Sequence, residues 1–294
     1  MSDLYRLGAS LYIPAIRNDL VAIANAQKYG NLRSMIFCTE DSIRASDVPS
    51  ALLRLEESLP EFHTVAKRLR FVRARNPKVL EKILAMRCVE RLDGFVLPKV
   101  RQDILAEYLS LLKGSTFRLM ITLETLEVFD AVKMNSLRDY LLEQDCRERI
   151  LALRIGGNDL LNLLRIRRPR DRTIYQTPIG SVIANLVTTF RPYGFELTAP
   201  VFEYLDEGAL LCEELRQDLA FGLFGKTAIH PSQVGVIEDF YRVSRKDVDV
   251  AQSLLHPNSN AVFRMHNSMC EVATHSNWAI ETMRRAQIFG IVSG

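Results

Sequence analysis

Acidic and basic side chains recur in this chain directly after short apolar runs, and their types suit metal-assisted carbonyl chemistry. Arg17 follows SLYIP (residues 10–14), Glu40 and Asp41 follow SMIFC (34–38), and Arg75 ends FVRAR (71–75) just before Asn76. Lys99 follows GFVLP (94–98), Glu124 follows RLMITL (118–123), and His230 follows KTAI (226–229). Asp159 comes after LALRI (151–155), a glycine pair and Asn158. Carboxylates such as Glu124 and Asp159 suit magnesium, which takes one or two protein carboxylates and fills its other positions with water and substrate oxygens. Arg17 and Arg75 can each grip a carboxylate or phosphate through two parallel hydrogen bonds. Arg73 shares a strand face with Arg75 by alternation and competes for that role.

Each group also has a plain structural reading. Asp159 can cap a helix, and Glu124 can pair with a lysine or arginine. Glu40 and Asp41 can reach a metal through water or pair with Lys99. Lys99 is either such a partner or a Schiff-base amine. His230 is either a general base or a hydrogen-bonded residue beside Pro231.

What would position these residues is an alternation of strands and helices. Eight apolar runs of four to six residues, at 10–14, 34–38, 71–75, 94–98, 118–123, 151–155, 195–199 and 226–229, read as strands. Helical spacing fills most gaps between them, over about 18–30, 46–69 with a break at Pro60, 77–91, 103–112, 127–143, 180–190 and 206–219. Such alternation predicts βα units and a parallel sheet. Eight units in this length predict an α/β fold, a closed (β/α)8 TIM barrel over residues 1–245. The remainder, 246–294, reads as a C-terminal helical segment with helices at 247–255 and 276–289. It would pack on the barrel or cover a neighbouring subunit's site. In a barrel all the strand ends above fall on the face that builds active sites. Glu124 and Asp159 then end adjacent strands, whose backbones run ~5 Å apart. Gly156 and Gly157 would let the backbone approach a bound substrate closely.

The bulk composition narrows the function classes. The 294 residues are 48% hydrophobic and 25% charged, and a net charge of +3 argues against a nucleic-acid partner. One dense basic cluster, Arg165, Arg167, Arg168, Arg170 and Arg172, is either a solvated loop or a site for a phosphate-bearing tail. Five widely spaced cysteines without a CxxC pair suggest neither a disulfide framework nor a zinc cluster. No apolar run nears the ~20 residues of a membrane span, and the N-terminus lacks the charged-then-apolar pattern of a signal peptide. A cytoplasmic protein without a membrane partner is expected.

Seven motifs occur in an informative order: IPAIR (13–17), EDS (40–42), RNP (75–77), LPK (97–99), LET (123–125), GGNDL (156–160) and GKTAIHPSQV (225–234). The set resembles the citrate lyase β-subunit-like branch of the HpcH/HpaI aldolases, over nearly the whole chain. The resemblance implies a magnesium-dependent barrel enzyme that makes or breaks carbon–carbon bonds next to 2-oxo acids or acyl-CoA thioesters. It implies that Glu124 and Asp159 ligate the metal, and that an arginine of the RNP segment contacts substrate oxygens. Arg17 would hold substrate or a coenzyme A phosphate. It further implies a homo-oligomer, a trimer or hexamer, whose C-terminal segment covers a neighbour's site. The Met269-Cys270-Glu271 stretch stands nearest to the family's Met-Val-Asp motif, so Glu271 would be an acid donated across that interface. The chain departs from the family where Cys38 replaces an aspartate, Asn158 replaces a glutamate, and LTAPVFEYLD (197–206) replaces a glycine-aspartate segment. These departures point to a divergent member with its own substrate. A thioester hydrolase on the same scaffold and a non-catalytic ligand-binding partner in a biosynthetic assembly are the rival readings.

Overall fold

The computed structural model describes residues 4–292. The chain divides into two compact units, Met1–Val234 and Gly235–Gly294, a boundary earlier than the one expected at residue 245.

In the first unit seven strands form one sheet in sequence order. They are β1 (Leu11–Pro14), β2 (Ser34–Cys38), β3 (Leu69–Arg73), β4 (Gly94–Leu97), β5 (Arg118–Leu123), β6 (Ile150–Ile155) and β7 (Leu197–Thr198). Every neighbouring pair is parallel. Strands β2, β3 and β4 are buried at every position rather than at alternate ones, as expected of a parallel sheet covered on both faces. The expected eighth strand shrinks to one parallel bridge between Ala228 and Leu11. That bridge still closes the ring. Phe224 N donates to Leu197 O at 3.3 Å, Ala228 N to Ser10 O at 2.8 Å, and Tyr12 N to Ala228 O at 3.0 Å. Gly225, at φ +81°, bends the chain within this segment and limits its pairing.

Helices α1 (Leu20–Ala24), α2 (Val48–Ser58), α3 (Pro77–Leu84), α4 (Gln102–Leu111), α5 (Ala131–Leu142), α6 (Gly157–Leu163), α7 (Pro178–Phe190) and α8 (Gly208–Ala220) connect the strands. Several starts are legible in side-chain chemistry. Asn76 accepts from Val79 N at 2.9 Å, Asp130 accepts from Val132 N at 2.8 Å, and Thr177 caps the turn that opens on Pro178. Three expected helices are shorter than their apolar spacing suggests: the one at 46–69 ends at Ser58, just before its expected break at Pro60, and no helix resumes between Glu61 and β3. The one at 18–30 stops at Ala24, since Ala26 and Tyr29 take positive φ, and the one at 77–91 stops at Leu84, before Cys88 does the same. Strand β3 lies two residues earlier than expected, because Leu69 already bonds to Arg33 O at 2.9 Å and the β2 pairing ends at Arg73.

Helix α9 (Pro231–Phe240) spans the division between the units. The second unit continues with β8 (Val243–Ser244), α10 (Arg245–Leu255), β9 (Val262–Met265), β10 (Ser268–Glu271), α11 (Val272–Phe289) and β11 (Ile291–Val292). Its core joins Ala251 and Leu254 of α10 to Cys270 and to Ala279 of α11. The expected helical segment therefore also carries an antiparallel hairpin, β9–β10. Its turn residues His266 and Asn267 both sit at positive φ, the geometry that two-residue hairpin turns need.

Candidate active site

At the end of β2, Thr39 extends the pairing with β3. Its N donates to Arg73 O at 3.1 Å and its Oγ1 to the same oxygen at 2.8 Å. The residues that follow, Glu40 and Asp41, are thereby held beside the Arg73 side chain. Arg73 Nη2 lies 2.8 Å from Glu40 Oε2, 3.1 Å from Asp41 Oδ2 and 3.0 Å from Glu124 Oε1. Lys99 meets the same acids from β4: its Nζ is 2.7 Å from Glu40 Oε1, 3.0 Å from Asp41 Oδ1 and 3.8 Å from Asp159 Oδ1. Its backbone N donates to Glu124 Oε1 at 2.8 Å. Lys99 adopts φ +50°, a conformation costing a side-chain-bearing residue about 1–3 kcal/mol.

The close approach at Gly156 serves the carboxylate cluster. A Cβ there would lie 2.4 Å from Glu124 Oε2, and one at Gly157 would press on Pro200 and Ile174. Gly156 and Gly157 do line the cavity, but the contact that excludes a side chain at Gly156 is with Glu124. Burial, with Asp159 and Glu40 adding negative charge, pushes the Glu124 carboxyl up to about 7 against the pull of Arg73. Burial also raises Glu40 and Asp159. Asp41 stays below its ordinary value, because its bonds to Glu40 and Lys99 and the Arg73 charge outweigh burial. For Lys99, burial favours the neutral amine but the bonds to Glu40 and Asp41 outweigh it and raise the value. A Schiff-base lysine needs the opposite shift.

Part of this cluster lines a cavity of about 480 Å³ at the C-terminal ends of the strands. Asp41, Arg73, Glu124, Gly156, Gly157 and Asp159 line it, whereas Arg17, Arg75 and His230 do not, and Glu40 and Lys99 stand behind the lining as partners of Asp41 and Arg73. Arg17 turns to Asp19, with bonds of 2.8 and 2.7 Å. Arg75 falls beyond the end of β3, so strand alternation does not carry it to the face of Arg73; its Nη1 reaches Glu40 O at 3.3 Å. His230 is exposed and contacts Ser232 Oγ at 2.8 Å. Glu271 belongs to the second unit, where it accepts from Thr274 Oγ1 at 3.0 Å. Most of the basic cluster is paired with acids: Arg167 with Glu203, Arg168 with Glu214, Arg170 with Asp206 and Glu207, and Arg172 with Asp171.

Sequence reasoning missed Tyr12, Cys38, Thr122 and Arg154, all of which line the cavity. A signal existed for Arg154: it is a charged residue inside an apolar strand, and such a residue is almost never buried without a specific partner.

Among the described residues, no three His, Cys, Asp or Glu side chains gather as a metal-binding group. The cavity offers a pair instead. Asp159 and Glu124 both line the cavity, and the charge of Asp159 helps raise the Glu124 carboxyl, so two adjacent carboxylates there need a shared cation, either a proton or a metal ion. Two carboxylates fit magnesium, which retains several waters, better than a metal needing a cage made wholly of protein groups.

No curated protein matches the sequence, but solved structures do. A citrate lyase from Burkholderia xenovorans LB400 superposes with a TM-score of 0.74 at 16% identity, covering 98% of this chain and 93% of that one. CitE from Mycobacterium tuberculosis, in complex with magnesium, acetoacetate and coenzyme A, gives 0.70 at 19% identity and covers 96% and 99%. The citrate lyase β subunit complexed with oxaloacetate and magnesium from M. tuberculosis gives 0.60 at 20%, covering 81% and 99%. At these identities the likeness is one of fold. The sequence itself carries more: residues 1–291 match the family model for a C–C bond lyase of the TIM-barrel fold, and the chain belongs to that family.

Proposed function

We propose that the protein is a magnesium-dependent carbon–carbon lyase or aldolase, acting on a 2-oxo acid or acyl-CoA-type substrate through an enolate. The observation that carries this reading is the Glu124–Asp159 carboxyl pair beside Arg73 and Lys99 at the rim of the barrel cavity. The magnesium complexes of CitE with acetoacetate and of the citrate lyase β subunit with oxaloacetate support it. Magnesium held by Glu124 and Asp159 would supply Lewis acidity to the oxygens of a 2-oxo carboxylate.

The chain's own residues do the rest. Burial disfavours the Arg73 charge, but Tyr12, Glu124 and Glu40 outweigh it, so a fixed cation stands where an enolate oxygen would develop. Preorganised charge of this kind commonly supplies the greatest share of an enzyme's rate enhancement. Glu40 orients both cations, bonding Arg73 through Oε2 and Lys99 through Oε1. Asp41 lines the cavity, is half exposed and stays ionised, so it is the carboxylate placed to take a proton from the carbon beside the oxo group and return it. Arg75 and Arg17 are left to the approach of the substrate's tail. Assembly as a trimer or hexamer, with Glu271 serving a neighbouring copy, belongs to the same reading.

Proton exchange at the methyl carbon of pyruvate tests it. With magnesium in D2O, NMR shows deuterium entering that carbon, and Arg73→Lys slows entry about 10²-fold, the scale of losing one oxyanion donor. Exchange no faster than buffer at saturating pyruvate and magnesium overturns the lyase reading.

A further inference from the structure

Arg154 is a buried cation that no acid answers. Only 4% exposed, it sits mid-strand in β6, in register with Thr122 of β5 and Thr198 of β7. Its Nη2 donates to Thr227 Oγ1 at 2.6 Å and to the Tyr12 hydroxyl at 3.2 Å. Its Nη1 meets only the Met120 sulfur, at 3.9 Å, and its Nε has no partner. Among the described residues no carboxylate pairs with it, whereas Arg73 has three and buried Arg168 has Glu214. Arg68 and Arg70, also buried, differ because their bonds go to main-chain carbonyls.

Arg154 lines the cavity, and so does Thr122, whose Oγ1 is likewise buried without a partner. Holding an uncompensated ion out of water is costly. That cost is recovered when an anion arrives, and a guanidinium with an open Nε matches a planar carboxylate.

We propose that Arg154 and Thr122 form a second anion subsite on the cavity floor that takes a carboxylate of the substrate, making that substrate a small dicarboxylic acid. The inference rests on the cavity being the substrate site, but it does not need the metal. Tyr12 links the two arginines, since its hydroxyl also accepts from Arg73 Nη1 at 3.3 Å. One end of a diacid would then lie by Arg73 and the other by Arg154.

Calorimetry of the full chain in EDTA, with succinate and propionate as probes, tests the subsite apart from lyase chemistry. Succinate is expected to bind at least about tenfold more tightly than propionate, one carboxylate contact's worth of affinity. Arg154→Met abolishes that preference. The unliganded variant melts no lower than the parent, because a methionine replaces an unpaired buried charge; a purely structural arginine would lower melting. Arg154→Lys, which keeps the charge without the fork, covers the case of a misfolded methionine variant and retains only part of the preference. Equal binding of the two diacid and monoacid probes by the parent, or an undiminished preference in both variants, overturns the subsite. Deuterium exchange into pyruvate is unaffected by that outcome, so the two readings fail separately.

Discussion

Two ion clusters in the first unit have nearly the same ingredients and opposite settings. At the cavity rim, Arg73 and Lys99 meet Glu40, Asp41 and Glu124. Behind the sheet, Lys226 and Arg168 meet Glu214 and Asp218, and these four side chains are closed to solvent. In the second cluster the acids are fully subscribed: Glu214 also accepts from Ile174 N at 2.9 Å, and Asp218 accepts from the Tyr175 hydroxyl at 2.6 Å. That network pins the segment after α6 to α8, and Ile174 in turn backs onto Gly157. The rim cluster opens on a cavity and leaves there an acid pair in need of a shared cation. Buried charge alone therefore does not mark a reactive site. What marks it is buried charge with bonding capacity left over and space beside it.

The largest effect should come from breaking the closed cluster. Glu214→Ala strips buried Arg168 of its acid and leaves Lys226 to Asp218, and is expected to cost about 3–5 kcal/mol, read as a lower urea midpoint by circular dichroism. Glu124→Gln, at the open cluster, should cost clearly less. Equal losses would erase the distinction between structural and reactive charge.

Proton linkage gives a middle-sized test. The Glu124 carboxyl titrates near 7 when folded, above its unfolded value, so the native state holds a proton that the unfolded chain releases. Its contribution to stability is present below the unfolded value and is lost as pH rises through about 7. Magnesium must displace that proton. Its affinity should therefore rise about tenfold per pH unit up to this value and then level off, with proton release visible by calorimetry in buffers of different ionisation heat. Asp218, raised to about 6 by complete burial, should keep its proton behaviour whether or not metal is present. A metal affinity that ignores pH across this range would mean that the rim pair does not behave as an open site.

The smallest effects belong to arginines outside both clusters. Arg75→Ala and Arg17→Ala should each shift stability by no more than about 0.5 kcal/mol and leave pyruvate exchange within about twofold. A large loss of exchange in Arg75→Ala would return it to the cavity.

Most of the barrel was legible because parallel strands buried on both faces read as unbroken apolar runs; SMIFC and RLMITL match β2 and β5 end to end. Strand ends were less legible, and that error decided which arginine faces the cavity. The two-residue shift of β3 depends on where Arg33 and Asp93 bond to it, a pairing that no local pattern encodes. The acids Glu124 and Asp159 could be found because they follow strands in sequence. Arg154 and Tyr12 could not be found that way, since they sit within strands, where the eye counts apolar neighbours. The β9–β10 hairpin escaped because His266–Asn267 lacks the glycine that usually announces such a turn.

The single bridge at Ala228 makes the ring a belt with one buckle. Everywhere else between β1 and β7 a ladder of hydrogen bonds sets the circumference, but here three bonds and a short splice hold it. Thr227 lies on the splice and Tyr12 on the strand it fastens to, and Arg154 binds both hydroxyls from across the interior. The floor arginine thus touches both sides of the clasp without locking it. Local opening of a fold begins where bonds are fewest, so the belt slackens first at this splice, the stretch that Arg154 touches from the cavity floor.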